Sequence, residues 1–202
     1  GGFINMSKVL YIKATPKLKD DSWTLKMSEA FIENYKKNNP NDLVTELNLY
    51  DENFGYLTME ELQEMPLDAE SNVKKYANQF IEYDKYVIAA PFWNLSIPAI
   101  LKSYIDRLMI VGKTFKYTET GAQSLITGKK AMFFMAMGGI YSIPPMNKFE
   151  NGIKYLDLAF GDFLQVITDS VTFEGTAVYE MKELEKKFEN TLIEITEKAK
   201  SF

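Results

Sequence analysis

Three short runs in this chain are apolar at almost every position and stop abruptly at turn residues, a pattern that few folds can accommodate. Val9-Leu10-Tyr11-Ile12 ends at Thr15-Pro16, Tyr86 to Ala90 ends at Pro91, and Ala131 to Met137 ends at Gly138-Gly139. A strand with one wet face alternates apolar and polar residues, whereas a strand apolar on both faces must be covered twice, as in a parallel sheet flanked by helices. Leu43 to Leu49 does alternate and reads as an edge strand, and a fifth strand is expected between Val166 and Phe173. Between these runs the apolar period lengthens to that of a helix. Trp23, Met27, Ala30, Phe31 and Tyr35 share one helical face, as do Ile97, Ile100, Leu101, Tyr104, Ile105 and Leu108 behind Ser96 as N-cap with Pro98 in the first turn. Met181, Leu184, Phe188, Leu192 and Ile195 stripe a C-terminal helix, and weaker helical stretches run from about Ala69 to Tyr83 and from Asn147 to Phe163.

Strand and helix thus alternate five times, which demands right-handed crossovers and a doubly wound α/β sheet. The expected architecture is flavodoxin-like: five parallel strands in the order 2-1-3-4-5 with helices on both faces. With 202 residues, 46% of them hydrophobic, one core is affordable, and residues 6–202 read as a single domain. Gly1 to Asn5 precede a Met-Ser-Lys start and read as a cloning remnant rather than a secretory leader. Asp51 to Asp68 reads as an irregular excursion with one short helix.

Composition closes off much familiar chemistry. The chain has no histidine and no cysteine, so disulfides, thiol nucleophiles, Ser-His-Asp hydrolysis and His- or Cys-ligated zinc are excluded within it, and no metal site is expected. Its 28 acidic and 23 basic residues give a net charge of -5 without a basic block, which argues against a nucleic-acid partner. No apolar run reaches the length of a membrane span, and a cytoplasmic, membrane-free protein is expected.

Ligands of doubly wound sheets bind at the carboxyl ends of the strands near the reversal of strand order, where three loops stand out. The loop from Thr15 to Thr24 enters a helix N-terminus, whose N–H groups together with the hydroxyls of Thr15, Ser22 and Thr24 suit a phosphate monoester; Ser22 acting only as a cap is the other reading. The loop lacks the glycine spacing of a P-loop or a dinucleotide fingerprint. Pro91 to Ser96 presents Phe92 and Trp93 beside Asn94, a setting for a flat heteroaromatic ring or ordinary packing beneath a neighbouring loop. Ala136 to Tyr141 pairs Gly138 with Gly139, which permit close backbone approach to a ligand or simply make a turn.

The stretch Ala89-Ala90-Pro91-Phe92-Trp93-Asn94-Leu95-Ser96-Ile97-Pro98 running on to Asp106-Arg107, then Gly112-Lys113-Thr114-Phe115-Lys116-Tyr117-Thr118-Glu119 and Leu125 to Lys130, resembles the FMN-dependent NADH-azoreductases. The resemblance continues through Gly138 to Tyr141 and covers most of the chain from Lys8. It implies a homodimeric flavoprotein that is reduced by NADH or NADPH and reoxidised by quinones or azo compounds in a ping-pong cycle, with the flavin and no side chain carrying the hydride. By position, Thr15, Ser22, Trp23 and Thr24 would hold the FMN phosphate, and Phe92, Trp93, Asn94 and Leu95 would line the isoalloxazine and ribityl chain. Ala136, Met137, Gly138 and Gly139 stand where the family often has Ser-Arg-Gly-Gly, a departure that removes a hydroxyl and a cation; Ser124 stands where many relatives have glycine. Phe115 and Tyr117 are candidate substrate contacts across the dimer, unless the excursion from Phe115 to Gly128 is a structural hairpin or a subunit contact. Two other readings remain at this point: a one-electron carrier of the flavodoxin type and a flavin-free interaction module.

Overall fold

The computed structural model describes residues 6–53, 55–65 and 74–202. Five parallel strands form the sheet: β1 (Lys8–Lys13), β2 (Leu43–Asn48), β3 (Lys85–Ala89), β6 (Lys130–Ala136) and β7 (Ile167–Phe173), in the order β2-β1-β3-β6-β7. This is the expected order 2-1-3-4-5, with an antiparallel hairpin, β4 (Phe115–Thr118) and β5 (Gly121–Ser124), inserted before β6.

The uninterrupted apolar runs are explained by two cores, one on each face. On β1, Leu10 and Ile12 face the side covered by α3 (Lys75–Ile81), α4 (Ala99–Asp106) and α5 (Ile153–Leu156), where they join Phe80, Tyr104 and Leu156. Val9 and Tyr11 face α1 (Trp23–Asn38) and α6 (Met181–Ser201), joining Phe31, Tyr35 and Ile195. Each such side chain contributes about 1.5–3 kcal/mol by leaving water. Strand β6 divides the same way: Phe133, Met135 and Met137 point to the first core, Met132 and Phe134 to the second. On the edge strand β2 only Leu47 is buried, in keeping with its alternating sequence.

Local structure departs from the sequence reading in three places. Ser96 does not cap α4, because its backbone is spent on a tight turn with Trp93 and its Oγ donates to Asn151 O at 3.4 Å; Pro98, lacking an N–H, takes the N-cap position. The stretch from Asn147 to Phe163 is broken at Glu150, whose carboxylate accepts the Gly152 and Ile153 N–H groups at 2.7 Å each and starts α5 afresh. Beyond α5 the helix widens to π geometry over Asp157–Phe163. Among the described residues, the excursion after β2 holds one short helix as expected, α2 (Met59–Glu64), closed by a Thr58/Glu61 capping box. The expected helix from Ala69 to Tyr83 is seen as α3, and its first residues lie outside the described ones.

Candidate cofactor and active site

The chain order reverses between β1 and β3, and the loops leaving β1, β3, β6 and β7 meet above that point. Helix α1 begins there. Ser22 is extended at φ -133 and its Oγ accepts the Leu25 N–H at 3.2 Å, which makes it a true N-cap. The N–H groups of Trp23 and Thr24 have no intrahelical acceptor by their position, so the positive end of a 16-residue helix faces the loop cluster. Thr24 is buried, and its Oγ1 accepts the Ala136 N–H at 3.2 Å, binding the helix to the end of β6. A hydroxyl that accepts one bond keeps a proton to donate to another oxygen.

These groups surround a cavity of about 260 Å³ whose wall includes Thr15, Lys17, Ser22 and Thr24 on one side and Pro91, Phe92 and Trp93 on the other. Ala136, Gly138 and Thr176 form its floor, and Asp21 lies at its rim. The floor is firmly stitched: Met137 N donates to Phe173 O, Thr176 N and Oγ1 donate to Met137 O, and Ala177 N donates to Gly138 O, all within 3.2 Å. A Cβ placed on Gly138 would meet Ala177 at an ordinary 3.5 Å, so internal packing does not demand glycine there, whereas on Gly139 it would press the Tyr141 ring at 3.1 Å. The bare backbone at Gly138 borders the cavity, open to close approach by a ligand.

Trp93 and Ser96 exchange backbone hydrogen bonds at 3.0 and 3.1 Å around Asn94 (φ 49) and Leu95 (φ 70), a two-residue turn with both central residues left-handed. For leucine that conformation costs about 1–2 kcal/mol. The strain leaves Trp93 (37%) and Leu95 (40%) partly open to solvent, and strain held in an exposed loop is characteristic of a binding site. Beyond Trp93 lies a second, larger cavity of about 590 Å³, walled by Asn94, Ile97, Ile100, Tyr155 and Tyr50. Lys102 also lines it; its ammonium is held above the ordinary lysine range by hydrogen bonding to Asp106. Burial pushes the Tyr155 and Tyr50 hydroxyls up as well, so both remain neutral donors at physiological pH. The donor set therefore suits a phosphate in the small cavity and a flat, largely apolar ring reaching past Trp93 into the large one.

Comparison with known proteins identifies the family of the chain. The family model described as "Flavodoxin-like fold" matches residues 7–199. An FMN-dependent NADH:quinone oxidoreductase of Clostridium acetobutylicum is 45% identical over 206 residues, covering 98% of this chain and all of the relative. The chain belongs to this family. Another member, from Caldicellulosiruptor saccharolyticus, carries the same description and is 44% identical over 98% of this chain and 100% of its own. Among solved structures, an azoreductase from Bacillus anthracis superposes with a TM-score of 0.90 at 36% identity, covering 98% of this chain and 100% of the other. A second B. anthracis structure, an FMN-dependent NADH-azoreductase in complex with FMN, gives a TM-score of 0.85 at 31% identity over 96% and 98% of the two chains.

Within this family fold, most residues singled out in the sequence come together. Thr15, Ser22, Trp23, Thr24, Phe92, Trp93, Ala136 and Gly138 all border the small cavity, and Trp93 and Asn94 also wall the large one. Leu95 stands exposed on the same turn and Gly139 lies one residue beyond the floor. The Trp23 ring itself is turned toward Phe173 and Phe188, 4.9 and 5.1 Å away, and Lys26 sits over it at 4.5 Å. Met137 continues the inward phase of β6, is buried in the core and lines neither cavity. Phe115 is buried at the base of the hairpin, with Phe163 at 5.0 Å and Tyr117 at 5.5 Å, while Tyr117 is 71% exposed. The sequence reading missed Lys17, Thr176, Tyr50, Lys102 and Tyr155. Thr176 had a signal, since it follows Gly175 at the carboxyl end of the fifth strand; Lys102 and Tyr155 did not, lying on helices whose polar positions look like solvated faces.

Proposed function

We propose that this chain is a homodimeric, cytoplasmic FMN-dependent NADH:quinone oxidoreductase that also reduces azo compounds, by a ping-pong cycle in which donor and acceptor use the same cavity in turn. The observation that carries this reading is the small cavity at the α1 N-terminus, opening past the strained Trp93–Ser96 turn into the larger one. Two or more hydroxyls, first-turn N–H groups and Lys17 fit a phosphate; the Trp93–Asn94 edge fits the flat ring. Bound FMN would supply the redox chemistry by accepting a hydride from reduced nicotinamide and passing it to the acceptor.

What the chain supplies is position. Thr15, Ser22, Thr24 and Lys17 hold the phosphate, with the macrodipole of α1 offsetting its charge. The backbone at Gly138 approaches closely, and Asn94 offers an amide donor and acceptor at the polar edge of the ring. Tyr50, Ile97, Ile100 and Tyr155 exclude water from the reacting face, and the neutral Tyr155 and protonated Lys102 stand where an acceptor oxygen needs a hydrogen-bond donor. Homodimer formation is supported by the exposed apolar surface around Leu158 (58%), Phe163 (37%) and Tyr117 (71%), and light scattering tests it. The cytoplasmic placement fits an absence of any helix, among the described residues, long and apolar enough to cross a membrane.

Steady-state assays with NADH or NADPH against p-benzoquinone and against an azo dye test the reaction. Parallel lines in double-reciprocal plots support the ping-pong order. If neither acceptor reoxidises the protein faster than oxygen does, the acceptor assignment fails, and negligible turnover with a stable one-electron state in titration would favour a carrier.

A further inference from the structure

Arg107, at the end of α4, is 2% exposed, and its guanidinium bonds both Ser103 of its own helix and the segment after β2. Nε and Nη2 reach the two carboxylate oxygens of Glu61 at 3.0 and 2.8 Å, the planar fork geometry that lysine cannot reproduce. Nη1 donates to Gly55 O at 3.1 Å and Nη2 to Tyr56 O at 3.4 Å. Ser103, one turn back on α4, joins in: its Oγ donates to Gly55 O at 2.5 Å and accepts from Nη1 at 2.8 Å. Glu61 is itself committed, since its other role is to accept the Thr58 N–H at 2.9 Å in the capping box of α2. Further along the same excursion toward β2, Glu52 accepts from Lys75 Nζ and Tyr76 Oη at 2.8 and 2.7 Å. A buried cation with this many neutral and acidic acceptors is costly to assemble, and a pair of apolar residues would stabilise the fold as well. What the ion pair adds is a fixed geometry.

That geometry bears on the larger cavity. Tyr50, the residue before the excursion, lines the cavity together with Ile100 and Lys102 of α4. One face of α4 thus lines the cavity while the residues Ser103 and Arg107 on another grip the excursion. We propose, building on the reading of that cavity as the acceptor and donor site, that Arg107 is a positioning residue. Through Glu61 and the Gly55 and Tyr56 carbonyls it locks the excursion to α4 and so fixes the Tyr50 wall at the distance that a flat aromatic substrate requires. It touches neither flavin nor substrate.

The test uses the FMN-loaded protein in three forms: wild type, Glu61→Gln and Arg107→Lys. Glu61→Gln alters a partly exposed side chain and keeps its size, so it remains informative if Arg107→Lys fails to fold. Chymotryptic cleavage after Tyr56, which is 83% exposed, should rise roughly tenfold in Glu61→Gln, the open population gained by losing one charge-assisted bond. KM for p-benzoquinone should rise several-fold at unchanged kcat, the signature of lost binding rather than lost chemistry, with FMN retention on desalting as in wild type. Wild-type cleavage and KM in both variants would overturn the proposal, and so would a KM rise accompanied by equal loss of FMN, which is what general loosening produces. If the wild type retained no FMN, the proposed function would fail while the cleavage arm still judged the clamp.

Discussion

Gly152→Ala looks harmless by backbone criteria, since Gly152, the N-cap of α5, has φ -83 and ψ -69, a conformation that alanine adopts without strain. On entropy alone the change should stabilise by about 0.4–1 kcal/mol. The surroundings reverse that sign. A Cβ at this position would lie 2.5 Å from Met135 Sδ, 2.9 Å from Met135 Cε and 2.9 Å from Phe92 Cδ2. Met135 is fully buried, and Phe92 is wedged against Tyr141 with ring centroids 4.7 Å apart, so relief comes at the expense of the Phe92 ring, which also borders the small cavity. Overpacking of this kind costs about 1–3 kcal/mol, leaving a net loss of about 0–2.6 kcal/mol after the entropic gain. For a chain of this size each kcal/mol lost lowers Tm by about 2–4 °C. Because the residue displaced is Phe92, in the wall of the small cavity proposed to hold the FMN phosphate, FMN affinity measured by fluorescence quenching should fall as well. In a Met135→Ala background, which vacates the space, the alanine should cost less, and a double-mutant cycle measures that coupling. A Tm above wild type for Gly152→Ala would refute the reasoning.

Ser22→Ala removes the acceptor of the Leu25 N–H and should cost about 1 kcal/mol in chemical denaturation, with weaker FMN binding on top; unchanged affinity would reduce Ser22 to a cap. Trp93→Ala, at a residue 37% exposed, should loosen FMN while leaving Tm of the apoprotein nearly unchanged, and equal retention after desalting would contradict its place at the ring. On the alkaline side, burial holds the Tyr11, Tyr86 and Tyr104 hydroxyls above their ordinary value near 10. Above that pH the unfolded chain releases these protons and the folded one does not, so stability should fall as pH rises through the ordinary tyrosine range. Burial depresses Lys85 and Lys129 and acts with the opposite sign just below 10.5, without cancelling three tyrosines. Urea titrations from pH 8 to 11 check the net direction.

The parallel core was legible because β1, β3 and β6 must be apolar on both faces, and no other arrangement of such short runs buries them. The site loops were legible by position, at the carboxyl ends of those strands. What the sequence concealed came from geometry that composition does not encode. Ser96 carries the residue type of a cap, yet the turn that claims its backbone depends on a left-handed Leu95, a conformation leucine almost never takes. Met137 follows the last paired residue of β6 and looks like loop, but the period of two carries through it and turns it inward. The π-helical turn at Asp157–Phe163 widens the spacing by one residue per turn, which blurs a 3.6-residue pattern without erasing it. Arg107 and Glu61 lie 46 residues apart, and nothing local to either announces the other.

The central claim is that the α1 cavity binds FMN and serves hydride transfer, and an anaerobic visible spectrum tests it most directly. The protein is incubated with FMN, desalted, and recorded before and after NADH, then after quinone. Retained flavin that bleaches with NADH and recovers with quinone is the predicted result. Protein that leaves the column colourless, or flavin that NADH fails to bleach, would contradict it.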